Sequence, residues 1–248
     1  MIRGGRPELE TQHGKLLLES GAAETWGWGT AAGKERVKRR AEWLRTSCGI
    51  KGGTRVLECG CGTGIFTRQL ALTGADITAV DISPELLAQA RKECPAPNVT
   101  FLKDNLEKPT ALQDNSFDVL CGISVLHHLT MPQALVALRG KLRSGAAFAF
   151  TEPNILNPLN KYYYYVDDIE KRRLRGTSPT EMAFTPKELK NLFDEAGYVV
   201  TSIHCRDFMH PAIPQRAIPF FRVAGSILES IPLVRNISGS LWIQGYVP

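Results

Sequence analysis

The residues able to do chemistry begin at Glu58. This carboxylate ends the apolar run Val56-Leu57 and is followed by Cys59-Gly60-Cys61-Gly62-Thr63-Gly64. Glycine has no side chain to block a ligand or forbid positive φ, so Gly60, Gly62 and Gly64 offer bare backbone in a tight turn. A helical pattern follows from Ile65 (Phe66, Gln69, Leu70, Leu72). Strand, glycine turn and helix together hold a nucleotide-like ligand at the carboxyl edge of a parallel sheet. The spacing is E-x-G-x-G-x-G, not the G-x-G-x-x-G that seats a pyrophosphate on a helix N-terminus. An acid just before the turn is a poor neighbour for a pyrophosphate and a good one for a cation.

Two further carboxylates stand at strand ends. Asp81 closes Asp76-Ile77-Thr78-Ala79-Val80, about 20 residues past the glycines, where an acid accepts hydrogen bonds from ribose hydroxyls. Ile82 beside it offers an apolar edge to a base. Asp104 and Asn105 follow Asn98-Val99-Thr100-Phe101-Leu102, and Leu106 comes next. An acid or amide there can accept from an exocyclic amine. His127 and His128 lie after Phe117–Ile123. Histidine titrates near neutrality and can take a proton from a nucleophile. The competing reading has one histidine buttressing the loop and the other facing solvent; His127 is the better choice for a catalytic role.

Other features bear on ligand closure. Trp26-Gly27-Trp28 is either an apolar anchor or a lid whose flat faces cover a ring or a cation. Lys34, Arg36, Lys38, Arg39 and Arg40 crowd one face of a helix over Gly33 to Cys48, a run that reads as solvated surface with a second option of anion binding. Cys59 and Cys61 form a C-x-C inside the turn with no second ligand pair nearby. All six cysteines read as reduced and structural, and no metal site is expected.

The elements that must position these residues alternate. Strands are expected at Thr54 to Glu58, Asp76 to Asp81, Asn98 to Leu102, Phe117 to Ile123, Ala146 to Thr151, Tyr198 to Cys205 and Leu241 to Val247. Helices are expected from Ile65, at Ser83-Pro84-Glu85 to about Cys94, at Met131 to Leu142, and from Thr185-Pro186 to Ala196. Serine or threonine caps followed by proline mark two helix starts. Residues 1–50 read as an N-terminal arm and helix forming a lid, 51–153 as the ligand-binding half and 154–248 as the substrate-side half. Two segments break the rhythm, at about 154–185 and 207–238. The first carries Tyr162 to Tyr165 and the basic run Lys171 to Arg175; it reads as a cap over the site or a helix with a solvated basic face. The second is apolar (Phe220, Phe221, Val223, Ile227, Leu228, Ile231, Leu233). It reads first as a packing helix or dimer contact, with a pocket wall or a membrane surface as alternatives.

Bulk properties bound the answer. The 248 residues, 43% hydrophobic and 22% charged, suit one globular domain with a cap. A net charge of +5 is too modest to signal nucleic-acid binding. No charged-then-apolar leader and no run of about 18 apolar residues appears. The expectation is a cytoplasmic protein, with membrane association through 211–234 as an option.

Taken in order, E-x-G-x-G-x-G, Asp81, Asp104 and Ser116-Phe117-Asp118-Val119-Leu120 resemble the class I S-adenosylmethionine (SAM) methyltransferases over roughly Lys51 to Glu152. The resemblance implies an α/β fold: a doubly wound, seven-stranded, mostly parallel sheet of Rossmann-like type, with the last strand antiparallel. It implies SAM as cofactor, S-adenosylhomocysteine as product and methyl transfer to a small-molecule, sugar or lipid-linked acceptor. Carried onto this chain, the cofactor residues are Glu58, Gly60, Cys61, Gly62, Gly64, Asp81, Ile82, Asp104, Asn105, Leu106, Gly122 and Trp28. His127 is the candidate catalytic residue. The alternatives are a non-catalytic SAM-binding subunit and a nicotinamide-dependent oxidoreductase; Glu58 and the missing G-x-x-G argue against the latter.

Overall fold

The computed structural model describes residues 6–19, 21–166, 168, 171–172 and 181–248. Seven strands form one sheet in the order β3-β2-β1-β4-β5-β7-β6. They are β1 (Arg55–Cys59), β2 (Asp76–Asp81), β3 (Val99–Lys103), β4 (Phe117–Ile123), β5 (Leu142–Pro153), β6 (Val199–Arg206) and β7 (Ser240–Tyr246). β7 runs antiparallel to both β5 and β6; the pairs from β3 through β5 are parallel. The expected doubly wound sheet with an antiparallel last strand is the observed one.

The central strands are apolar because both faces are covered. Side chains alternate between two cores. Leu57, Leu120, Phe148 and Phe150 face one layer with Leu135, Leu138, Leu189 and Phe193. Val56, Ile77, Val119 and Ala149 face the other with Val37, Leu44, Leu70 and Leu87. The helices supplying these residues are α2 (Ala31–Ser47), α3 (Thr67–Ala71), α4 (Pro84–Glu93), α5 (Gln133–Arg139) and α6 (Pro186–Glu195), while α1 (Arg6–Glu19) precedes them. α4 starts where Ser83 accepts a hydrogen bond from the Leu86 N–H, with proline in the first turn. Thr185 and Glu188 form a reciprocal capping box at α6.

Several elements differ from the sequence reading. The glycine turn stays irregular until Thr67, leaving a helix of five residues. The Met131 to Leu142 helix shrinks to Gln133–Arg139, because β5 begins at Leu142. Within the N-terminal arm, α1 is a 14-residue helix. It packs on α4, with Gly14 against Ser83.

The basic run of α2 is not a solvated face. Arg40 is buried at 2% exposure. Its Nε donates to Asp207 Oδ2 at 3.2 Å, as does Arg36 Nε at 3.3 Å. Arg39 forms a two-pronged pair with Glu229. Lys34 and Lys38 do face solvent.

The two insertions are tied together by asparagines. Asn154, Asn157 and Asn160 donate side-chain hydrogen bonds to the carbonyls of Ser238, Ile237 and Gly239 respectively. The first insertion contains a π-helical turn, Tyr162–Val166. Arg173 and Arg175 of its basic run lie outside the described residues. The second insertion forms α7 (Ile218–Ser230), of which Ile218 and Gly225 are buried. Phe220, Val223 and Ile227 are exposed, so this face does not pack within the chain, in contrast to the packing half of the packing-helix or dimer-contact reading.

Candidate functional site

The strand ends β1, β2 and β4 converge on one cavity of about 600 Å3. Its floor is the glycine turn. Gly60, Gly62 and Gly64 have φ of +64°, +53° and +77°, where a side chain is strained. A Cβ at Gly60 would sit 2.3 Å from Val125 Cγ2, so the turn and the post-β4 loop meet without room for a methyl group. The turn is tethered to β2: Cys61 N–H donates to the Val80 carbonyl at 3.0 Å. Asp81 Oδ2 accepts from Gly62 N–H at 2.8 Å, and its Oδ1 from Ser83 N–H at 2.9 Å. A carboxylate oxygen accepts more than one hydrogen bond, so Asp81 retains acceptor capacity toward the cavity it lines. Burial pushes its carboxyl above the usual range, opposed by the Ser83 and Gly62 N–H groups.

Gly60, Cys61, Gly62, Asp81, Ile82, Asp104, Asn105, Leu106, Trp28 and His127 all line this cavity. Asp104 is held by the N–H groups of Asn105, Thr110 and Ala111. Glu58, Gly64 and Gly122 are not among the lining residues. Gly64 abuts Ala90 of α4, and a Cβ at Gly122 would strike Val125 and Phe150. Glu58 is buried beneath the turn, with its Oε2 lacking a hydrogen-bond partner. Burial pushes its carboxyl up to about 7.

Both tryptophans line the cavity. Trp26 lies against Gly62: its ring carbon would be 3.3 Å from a Cβ there. Trp28 packs edge-on against Phe66 at 5.3 Å between centroids, with the Arg36 guanidinium 4.7 Å from its ring centre. Arg36, Arg40 and Asp207 also line the cavity. The arginines beside Asp207 hold its carboxyl down at about 2, overcoming a burial penalty that acts the other way.

Arg40 also reaches Thr151 at 3.3 Å, and the next residue, Glu152, belongs to a histidine–carboxylate group. His127 is buried, and its Nδ1 is 2.7 Å from Glu152 Oε2. The other oxygen of Glu152 accepts from the N–H groups of Val125 and Leu126. Glu152 is thus clamped, and it fixes the His127 ring so that Nε2 is directed to Glu181, 3.9 Å away. Tyr164 packs edge-on to His127, and burial raises its hydroxyl well above the ordinary value. His128 Nδ1 is 2.9 Å from Glu10 Oε2 of α1. Burial alone would lower the His128 pKa; Glu181 and Glu10 outweigh it and raise it to about 9.

The expectation of no metal site meets a contrary geometry. Ligand atoms of His127, His128 and Glu181 lie within 4.8 Å of one another, close enough to hold a metal ion. The sequence reading missed Glu152, Glu181, Asp207 and Glu10 as site residues. Glu152 had a usable signal, an acid ending a buried strand like Glu58 and Asp81. The others come from segments with no local motif.

A family profile described as a methyltransferase domain matches residues 57–150, from β1 to β5. Over those residues the chain carries a methyltransferase domain. Demethylmenaquinone methyltransferase of Tropheryma whipplei is 37% identical over 100 residues, covering 39% of this chain and 41% of that protein. The match therefore spans under half the length of that relative. Ubiquinone biosynthesis O-methyltransferase of Bordetella avium is 26% identical over 200 residues, covering 77% of this chain and 83% of the relative. Among solved structures, a SAM-dependent methyltransferase from Mesorhizobium loti superposes with a TM-score of 0.60 at 23% identity, covering 83% of this chain and 97% of its own. That likeness concerns the fold. SAM is the cofactor of this domain family. The residues present fit it: a glycine floor at positive φ and cavity-lining acids at the ends of β2 and β3.

Proposed function

We propose that the protein is a methyltransferase acting on a small-molecule, sugar or lipid-linked acceptor. Bound SAM supplies a methyl group already activated on a sulfonium. The chain's task is then to align the acceptor and exclude water. In this reading the 51–153 half holds the cofactor. The turn Gly60 to Gly64 and Glu58 below it orient the amino-acid end. Asp81 accepts from the ribose hydroxyls; Ile82, Asp104, Asn105 and Leu106 frame the adenine, with Gly122 keeping the floor thin. Trp28 and Trp26 cover the ligand, and the two insertions choose the acceptor. His127 takes the acceptor's proton at Nε2, with Glu152 holding Nδ1 as hydrogen-bond donor.

One observation carries this reading. The glycine turn, Asp81 and His127, held from behind by Glu152, open on a single cavity of about 600 Å3, which is within the range for small-molecule sites. The test is calorimetry with SAM on the wild type and on Asp81→Ala. Affinity should fall steeply; an unchanged affinity sinks the assignment. A second reading rests on the His127, His128 and Glu181 cluster. A divalent cation there would orient an acceptor oxygen. Activity lost to a chelator and restored by magnesium or manganese would favour it over proton transfer by His127.

We also infer a cytoplasmic setting at a membrane surface, with residues 211–234 in contact. Among the described residues, no helix is long and apolar enough to cross a membrane. The apolar side chains of α7 are turned outward.

A further inference from the structure

α7 is 13 residues long. Phe220, Val223 and Ile227 are spaced by three and four residues, which places them on one helical face. Phe220 is 69% and Val223 62% exposed, and beyond the helix Ile231 and Leu233 extend the apolar surface, the latter 83% exposed. The opposite face, with Ile218 and Gly225, is buried. A Cβ at Gly225 would lie 3.9 Å from Phe208, and Phe208 lines the cavity. The buried face of α7 therefore packs against a wall residue of the functional cavity, and the apolar face is turned away from it.

Within residues 208–239 the exposed charged side chains are all arginines. Residues 208–239 contain a single acid, Glu229. It is turned inward, with a side chain 9% exposed, and is paired with Arg39. Arg222, on the flank, is paired with Glu35 at 2.9 Å. Arg216 and Arg235 are exposed at the two ends of the apolar stretch, and α2 alongside exposes Lys34 and Lys38. A second copy of this chain docking face to face would bring the same arginines toward each other. A helix of this length is also too short to span a bilayer. An apolar face with aromatic side chains, edged by cations and cleared of free acids, suits burial in the headgroup region of a charged membrane.

We propose that the α7 face docks on a lipid bilayer bearing anionic headgroups, with Phe220, Val223, Ile227 and Leu233 entering the acyl boundary and Arg216 and Arg235 meeting the phosphates. This deepens, and rests on, the reading of 211–234 as a membrane contact. The test is co-sedimentation of the full chain with vesicles of phosphatidylcholine alone and of phosphatidylcholine with phosphatidylglycerol. Partition should favour the anionic vesicles by on the order of tenfold or more at about 0.1 M salt. Phe220→Ser with Leu233→Ser should abolish it. Arg216→Glu with Arg235→Glu should reduce it to the neutral-vesicle level. SAM affinity and circular dichroism serve as folding controls for both variants. Equal partition on the two vesicles overturns the anionic-lipid inference and leaves the membrane contact standing. No partition on either removes both, as does a dimer, detected by light scattering, that the apolar substitutions dissolve.

Discussion

Replacing Asp207 by asparagine should cost several kcal/mol, about 3–5, because it leaves a buried arginine without its counter-charge. Asp207 lies in the loop after β6, with a φ of +86°, and its carboxylate accepts from Arg36 and Arg40. Arg40 is itself bonded to Ser240 at 2.6 Å. The Asp207 carboxyl is held at about 2, against an ordinary value of 3.8. At about 1.4 kcal/mol per pH unit, that difference corresponds to about 2–3 kcal/mol favouring the charged form. Removing one partner of a buried pair also leaves the other charge uncompensated, at a cost of about 3–5 kcal/mol. Asp207→Asn should therefore lose about 3–5 kcal/mol in urea unfolding at pH 7. The folded pKa is depressed, so this contribution is present above the unfolded value of about 3.9 and is lost as pH falls through about 2. The assay is a double-mutant cycle with Arg40→Met. If the pair is the cause, Arg40→Met/Asp207→Asn should lose clearly less than the sum of the singles. A loss below about 1 kcal/mol for Asp207→Asn, or strict additivity, would refute the reasoning.

Three other outcomes follow from the site. Gly60→Ala forces a side chain into positive φ and into Val125. Strain of about 1–2 kcal/mol and overpacking of about 1–3 kcal/mol should together lower the melting temperature by roughly 5–15 °C, read by calorimetry with and without SAM. His127→Ala should reduce methyl transfer by about 10²–10⁴-fold while SAM affinity stays unchanged; loss of SAM affinity instead would make His127 a cofactor residue. For His128, whose folded pKa is raised to about 9, the stabilisation is complete below the unfolded value of about 6.5 and is lost as pH rises through about 9. Glu10→Gln should accordingly be less stable than wild type at pH 6, by about 1–2 kcal/mol, with the gap closing near pH 10 in thermal unfolding (roughly one unit past the folded value).

Much of the cofactor end is legible in the chain because its parts are local. A glycine turn, an acid at a strand end and a serine cap each declare themselves within a few neighbours. The strands β2 and β4 have the expected bounds, Asp76–Asp81 and Phe117–Ile123. Less legible was where regular structure yields to the turn. The pattern from Ile65 has helical spacing, yet backbone geometry at Gly64 delays α3 to Thr67. Composition misled at α2, because a run of arginines looks alike whether solvent or buried acids neutralise it. Asp207 and Glu229, nearly two hundred residues away in sequence, decide that.

The order of motifs from Glu58 to Asp118 by itself determined the doubly wound sheet, the cofactor class and the edge at which the cavity opens. Hydrophobic alternation and turn chemistry are short-range properties, and they survive without knowing the rest of the chain. The tertiary structure alone decided what faces the cavity. Glu10, Arg40, His127, Glu181 and Asp207 meet around one cavity, with Glu152 behind His127, although no spacing in the sequence links them. It also turned the apolar side of α7 outward, where hydrophobicity alone could not tell a buried face from an exposed one. Both outcomes depend on pairings across the sheet and between the two insertions, which are set when distant segments exclude water together.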